Sequence, residues 1–145
     1  MLRRLGIAQA LLGSPDMILF DEPTAGLDPE ERMHFKNILL NLGKKETIII
    51  STHIVEDIEA CCKSVIVMKS GEICKVGTCE EIRNMAAGKV YSCPFDEKNA
   101  LHGKYMLEKQ YERENDIFYR VLSDETYNLP ILEPTLEDGY MYLMQ

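Results

Sequence analysis

Two acids stand side by side directly after an apolar run: Met17-Ile18-Leu19-Phe20 is followed by Asp21-Glu22. The run has the length and composition of a strand buried on both faces. The acids then sit at that strand's C-terminal end, where open α/β sheets bind their ligands. Adjacent carboxylates at such a place can divide the work. One can hold a hard cation such as Mg²⁺, directly or through water. The other can orient or deprotonate a nucleophilic water. Taken alone, a solvated acid pair at a strand end explains the same residues. A second apolar run, Thr47-Ile48-Ile49-Ile50, ends in Ser51-Thr52-His53. A histidine placed there could bond a phosphate oxygen on the edge that bears the acids, and a plain polar cap is the bland alternative. Between the two runs, Thr24-Ala25-Gly26-Leu27-Asp28-Pro29 reads as a loop entering a helix N-terminus.

The elements that position these residues alternate between helix and strand. Residues 2–12 place Leu2, Leu5, Ile7, Ala8, Leu11 and Leu12 at helical spacing, and Gly13-Ser14-Pro15 stops them. Asp28 is an N-cap signal, with Pro29 at the first helical position and Glu30-Glu31 in the first turn. That helix is expected to end at Leu42-Gly43-Lys44-Lys45. A short helix over 54–62 and a strand over 64–68 follow. Ser70-Gly71 turns that strand into a hairpin with 72–76. Thr78 and Glu81 form a capping-box pattern that opens another helix. Strands separated by helices predict parallel pairing with crossover helices, hence an α/β fold.

Aromatic residues divide the chain. Residues 1–88 hold only Phe20 and Phe35, whereas residues 89–145 hold all seven tyrosines. The second region reads as a small C-terminal α+β appendage, with strands over 89–93, 105–112 and 116–122 and a final helix opening at Pro134-Thr135-Leu136-Glu137-Asp138. Gly139 is expected to weaken that helix by about 1 kcal/mol relative to alanine.

The whole composition narrows the function. A net charge of −8 and 28% charged residues argue against a generic nucleic-acid binder, which needs a basic face. The tyrosine-rich region carries six Lys/Arg against eleven Asp/Glu, which argues against a base-stacking platform. No apolar run approaches the length of a membrane span, so no direct membrane insertion is expected. The start resembles a signal peptide only briefly, because Gln9 interrupts it and no A-x-A site follows Leu12 to Pro15. Five cysteines, an odd number without CxxC spacing, read as reduced packing thiols in a cytoplasmic protein, including the adjacent Cys61-Cys62. His34 reads as a surface or packing residue and His102 as a loop residue.

Taken jointly, these motifs resemble the C-terminal half of the ATP-binding cassette (ABC) nucleotide-binding domain. Ile18-Leu19-Phe20-Asp21-Glu22 matches the Walker B motif, Ala25-Gly26-Leu27-Asp28 the D-loop, and His53 the switch histidine of the H-loop. Residues 2–12 match the helix after the family signature, and Met1 falls where the last signature residue would be. Lys69-Ser70-Gly71-Glu72-Ile73 with Gly77-Thr78 is similar to the hairpin and exit helix of transporter cassettes. Glu133 to Asp138 is similar to the tail of cassettes serving ABC-2-type exporters, although Gly139 stands where an apolar residue is usual.

The resemblance implies a partial P-loop NTPase core over 1–88, with 89–145 as an accessory region. It implies ATP and Mg²⁺ as cofactors and a role in ATP hydrolysis coupled to transport, with a lean to export. Asp21 would hold the metal, Glu22 would be the catalytic base or water-positioner, and His53 would contact the γ-phosphate. Gly26, Leu27 and Asp28 would touch the nucleotide and a second cassette in an ATP-sandwiched dimer. Membrane-spanning subunits would be the other partners, with the chain peripheral at the inner face of the cell membrane.

No G-x-x-x-x-G-K-[ST] occurs in the 145 residues, and the glutamine loop and most of the signature are missing. The expectation is therefore a truncated cassette, inactive in isolation. A catalytically inactive remnant acting as an interaction module is the alternative. A DNA-repair or chromosome-maintenance ATPase shares the acids and the histidine, but the chain has no coiled-coil insertion and the hairpin favours the transporter branch.

Overall fold

The computed structural model describes residues 2–13 and 15–145. Met1, the position matched to the last signature residue, lies outside the described residues, as does Ser14 of the expected helix stop. The chain divides into two compact units, Met1–Cys62 and Lys63–Gln145. This division falls well before the change in aromatic content at residue 88. The helix opened by Thr78 thus belongs to the second unit.

The first unit runs α1 (Leu2–Ala10), β1 (Met17–Asp21), α2 (Pro29–Leu42), β2 (Thr47–Ser51) and α3 (Val55–Cys61). β1 and β2 pair in parallel, from Met17 opposite Thr47 to Asp21 opposite Ser51. Strand alternation sends Ile18 and Phe20 inward, onto Phe35 and Leu39 of α2. Phe20 and Phe35 meet edge to face at 5.7 Å. Ile7, Leu11, Leu27, Ile48 and Ile50 complete this core. The expectation of strands buried on both faces fails. Leu19 is 70% exposed and Met17 59%, and β2 alternates between half-buried and exposed residues. The described residues cover one face of this pair only, so the apolar run reflects composition rather than burial within the unit.

The caps follow the sequence. Asp28 accepts the Glu31 backbone N–H at 2.8 Å, and Pro29 occupies the first turn, where its missing N–H costs nothing. α2 ends at Gly43, which stays in the right-handed helical region rather than the left-handed one glycine usually supplies.

The second unit contains β3 (Val65–Lys69), β4 (Glu72–Gly77), α4 (Cys79–Arg83), β5 (Val90–Pro94), β6 (Tyr105–Arg113), β7 (Asp116–Ser123) and α5 (Leu136–Met144). β3 and β4 form an antiparallel hairpin. Its turn is Ser70-Gly71, both with positive φ, the geometry that matches strand twist. β5, β7 and β6 form an antiparallel sheet with β7 central. Glu114-Asn115, again both at positive φ, makes its tight turn. Alternation along β5 splits the core. Val90 packs with Ala86 and Leu122 on one face, and Tyr91 and Cys93 pack with Val121 on the other. Both α4 and α5 begin with complete capping boxes, Thr78 with Glu81 and Thr135 with Asp138.

Gly139 corrects an expectation. A Cβ at this position would lie 2.0 Å from the Ile82 carbonyl oxygen. The glycine is what lets α5 approach the backbone of α4 so closely, so its weak helix propensity is offset by packing.

Candidate active site

The parallel register makes Asp21 and Ser51 direct partners at the C-terminal ends of β1 and β2. The Ser51 hydroxyl donates to Asp21 Oδ1, which fixes that carboxylate against the neighbouring strand. The chain then turns at Glu22, whose φ of 43° lies in the left-handed region that side-chain-bearing residues rarely adopt. The Glu22 N–H donates to the Ser51 carbonyl at 2.9 Å, extending the ladder by one bond. Strained residues at strand ends recur where a side chain must be aimed. Here the aim is toward β2.

Glu22 Oε1 accepts the backbone N–H of His53 at 3.1 Å and lies 2.8 Å from His53 Nδ1. The Thr52 hydroxyl donates to Glu22 Oε2 at 3.4 Å. The fold therefore brings Asp21, Glu22 and His53 to one edge, with Ser51 and Thr52 as supports. The His53 side chain is 76% exposed and that of Glu22 37%, so the group opens to solvent. With Nδ1–H donated to Glu22, Nε2 can donate to an anionic oxygen only when the ring carries both protons.

Asp21 offers hard oxygen donors suited to Mg²⁺, which takes one or two carboxylates and completes its shell with water and phosphate. Among the described residues no group of three or more His, Cys, Asp or Glu side chains is assembled to hold a metal by itself. A single carboxylate of this kind suits a cation that takes the rest of its shell from water or a bound anion.

Gly26, Leu27 and Asp28 lie in the turn that follows. Gly26 takes φ 72°, which its missing Cβ permits. The Leu27 N–H donates to Thr24 O at 3.1 Å, and its side chain packs against the core. The Asp28 carboxylate is committed to capping α2.

The anchor of this loop escaped the reading of the sequence. Thr24 is 1% exposed and its hydroxyl donates to Asp57 Oδ2. Asp57, 6% exposed, pairs with Lys36 Nζ at 2.6 Å. Burial opposes ionisation of Asp57, but the bonds from Lys36 and Thr24 outweigh it and hold the carboxyl below its ordinary range. The one sequence signal was an acid set between Ile54 and Ile58 in a short helix. His34, read as surface or packing, borders a cleft of about 220 Å³ with Ile7, Leu27 and Phe35. His102 makes an edge contact with Tyr127. Among the described residues no cysteine is held in a disulfide. No described helix is long and apolar enough to cross a membrane.

No family model matches the sequence. Curated relatives do. The uncharacterized ABC transporter ATP-binding protein YxlF of Bacillus subtilis (strain 168) is 35% identical over 130 residues, 90% of this chain and 42% of the relative. The uncharacterized ABC transporter ATP-binding protein sll0415 of Synechocystis sp. is 34% identical over 115 residues, 79% of this chain and 32% of the relative. The ABC transporter ATP-binding protein NatA of Bacillus subtilis (strain 168) is 42% identical over 83 residues, 57% of this chain and 34% of the relative. The chain thus spans less than half the length of each of these relatives.

Proposed function

The chain is a partial homologue of ABC transporter ATP-binding proteins, and on that footing we propose that it supplies the hydrolytic half of an ATP site. The convergence of Asp21, Glu22 and His53 at the ends of two parallel strands carries this reading. In it, β1 and β2 are part of a P-loop NTPase sheet, α2 is a crossover helix, and 1–88 provide the signature helix, Walker B, D-loop and H-loop. Residues 89–145 are the accessory region.

Asp21, steadied by Ser51, would hold Mg²⁺, which would supply charge neutralisation on the phosphates. Glu22 orients or deprotonates the attacking water. The carboxylate oxygen available for that is Oε2, whose protein partner is the Thr52 hydroxyl at 3.4 Å. His53 steadies an anionic oxygen through Nε2 while Nδ1 stays on Glu22. Phosphoryl transfer asks mainly for such positioning and charge stabilisation. Gly26 to Asp28 present backbone to a second cassette, and membrane-spanning subunits receive the work at the inner face of the cell membrane.

The cradle for the β- and γ-phosphates is a separate matter. Its backbone N–H groups and lysine come from a G-x-x-x-x-G-K-[ST] loop, which these 145 residues do not contain. The chain by itself therefore binds ATP weakly and does not turn it over. Once joined to a loop-bearing segment it hydrolyses ATP through Glu22. The absent loop equally supports a second reading, an inactive remnant that serves as an interaction module. Mg·ATP hydrolysis by the chain fused behind such a segment, with and without Glu22→Gln, separates the two. Glu22-dependent turnover supports the hydrolytic half, and its absence supports the module.

A further inference from the structure

β6 carries a bulge. Leu107 opposes Val121 and Lys109 opposes Arg120, which leaves Glu108 as the extra residue. Bulges re-aim a side chain, and this one is turned inward: the Glu108 side chain is 8% exposed. Its Oε1 is buried without a hydrogen-bond partner. Facing it are Arg120 of β7, with Nε 3.6 Å from Glu108 Oε2, and Asp138 of α5. Glu137 of α5 adds a further negative charge, and Tyr111 of β6 lies within electrostatic reach of Arg120.

The guanidinium is already engaged. Arg120 donates from Nε to Asp138 Oδ1 at 2.7 Å and from Nη2 to Oδ2 at 2.6 Å, and Nη2 also donates to the Glu133 carbonyl at 2.7 Å. Asp138, 1% exposed, accepts the Thr135 hydroxyl as well, at 2.7 Å. One buried cation therefore faces two buried carboxyl groups, and its fork is spent on one of them. An ionised Glu108 would add an uncompensated charge beside Asp138 and leave Oε1 unpartnered. A protonated Glu108 donates to Asp138 and removes both costs.

We propose that Glu108, Arg120 and Asp138 form a pH-sensitive clamp, in which Glu108 is held as the neutral acid and its ionisation loosens α5 from the β6–β7 ribbon. Burial, then the bond to Asp138, pushes Glu108 up to about 8. Asp138 is held well below the carboxylate range: burial opposes this, and the bonds from Arg120 and Glu108 outweigh it. The native state thus keeps a proton on Glu108 that the unfolded chain releases above the ordinary glutamate range. Stability from this group is complete in mild acid and is lost as pH rises toward and through 8.

All seven tyrosines lie in the Lys63–Gln145 unit, and the chain has no tryptophan. Tyrosine fluorescence during urea unfolding of the full chain therefore reports that unit alone. Between pH 5 and pH 8.5 the folded-to-unfolded ratio is expected to fall by about tenfold or more. Glu108→Gln, a neutral donor of the same shape, is expected to flatten this slope and to raise the midpoint at pH 8.5. A parallel ¹³C titration of the Glu108 carboxyl in the unchanged chain is expected to show it protonated at pH 7, whatever the folding of the variant. An ordinary glutamate midpoint in that titration, or an equal slope in a folded Glu108→Gln chain, overturns the clamp.

Discussion

Asp57 shows how a single side chain fixes the candidate site from behind. It ties Thr24 of the acid-bearing loop to Lys36 of α2 from its own place on α3. Replacing it by alanine leaves the buried Thr24 hydroxyl without its acceptor and Lys36 without its counter-charge. Lys36 is 20% exposed and can turn to water, so the loss falls below the range for a fully buried pair. Asp57→Ala is expected to cost the Met1–Cys62 unit about 1–3 kcal/mol. Far-UV circular dichroism during urea unfolding would check it, and a loss under about 0.5 kcal/mol, the scatter of neutral surface changes, would count against the anchor. Asp21, Glu22 and His53 were legible because each follows an apolar run at a strand's end. Asp57 was not, because an acid in the first turn of a helix reads equally well as a favourable partner for the helix dipole. The strained φ of Glu22 and its bond to His53 needed the parallel register, which no local pattern encodes.

Among the elements, α5 sets propensity against packing. By helix propensity alone, Gly139→Ala should stabilise by about 1 kcal/mol. The close approach to Ile82 reverses the sign. A methyl group there must push α5 from α4, and the cost is expected to be about 1–3 kcal/mol net. Tyrosine fluorescence in urea would measure it, and a stabilised variant would show that the helices are not held at this separation. α2 offers a simpler case. Asp28→Ala removes a side-chain cap and is expected to cost about 1 kcal/mol, seen as a lower urea midpoint of the first unit. An unchanged midpoint would mean that Pro29 and the acidic first turn suffice. Helix starts were readable because Asp28, Thr78 and Thr135 each announce themselves by residue type and spacing. The hairpin at Ser70-Gly71 was readable for the same reason. The bulge at Glu108 was not, since an extra residue in a strand leaves the alternation of β6 merely imperfect.

At the scale of the whole molecule, the two units differ in how far they complete themselves. The β5-β7-β6 sheet is covered on both faces by its own unit. The β1–β2 pair is covered on one, with Met17, Leu19 and Ile49 exposed on the other. Parallel strands ordinarily carry layers on both faces, and the YxlF relative, more than twice as long as this chain, has room for a second layer. An apolar run looks the same in sequence whether one face or both are covered, so the one-sided burial of β1 and β2 is not legible from the residues alone. At the candidate site Asp21, Glu22 and His53 meet at one edge of this pair, and the 145 residues hold no G-x-x-x-x-G-K-[ST] loop.

The direct test is steady-state Mg·ATP hydrolysis by the 145-residue chain alone and by a fusion behind a segment that bears a G-x-x-x-x-G-K-[ST] loop, each with Glu22 intact and as Glu22→Gln. No turnover by the chain alone is expected. The fusion is expected to turn over ATP, and Glu22→Gln to lower that rate by about 10²-fold or more, the contribution typical of a positioned general base. Glu22-dependent turnover by the chain alone, or a fusion indifferent to Glu22, would contradict the proposed function.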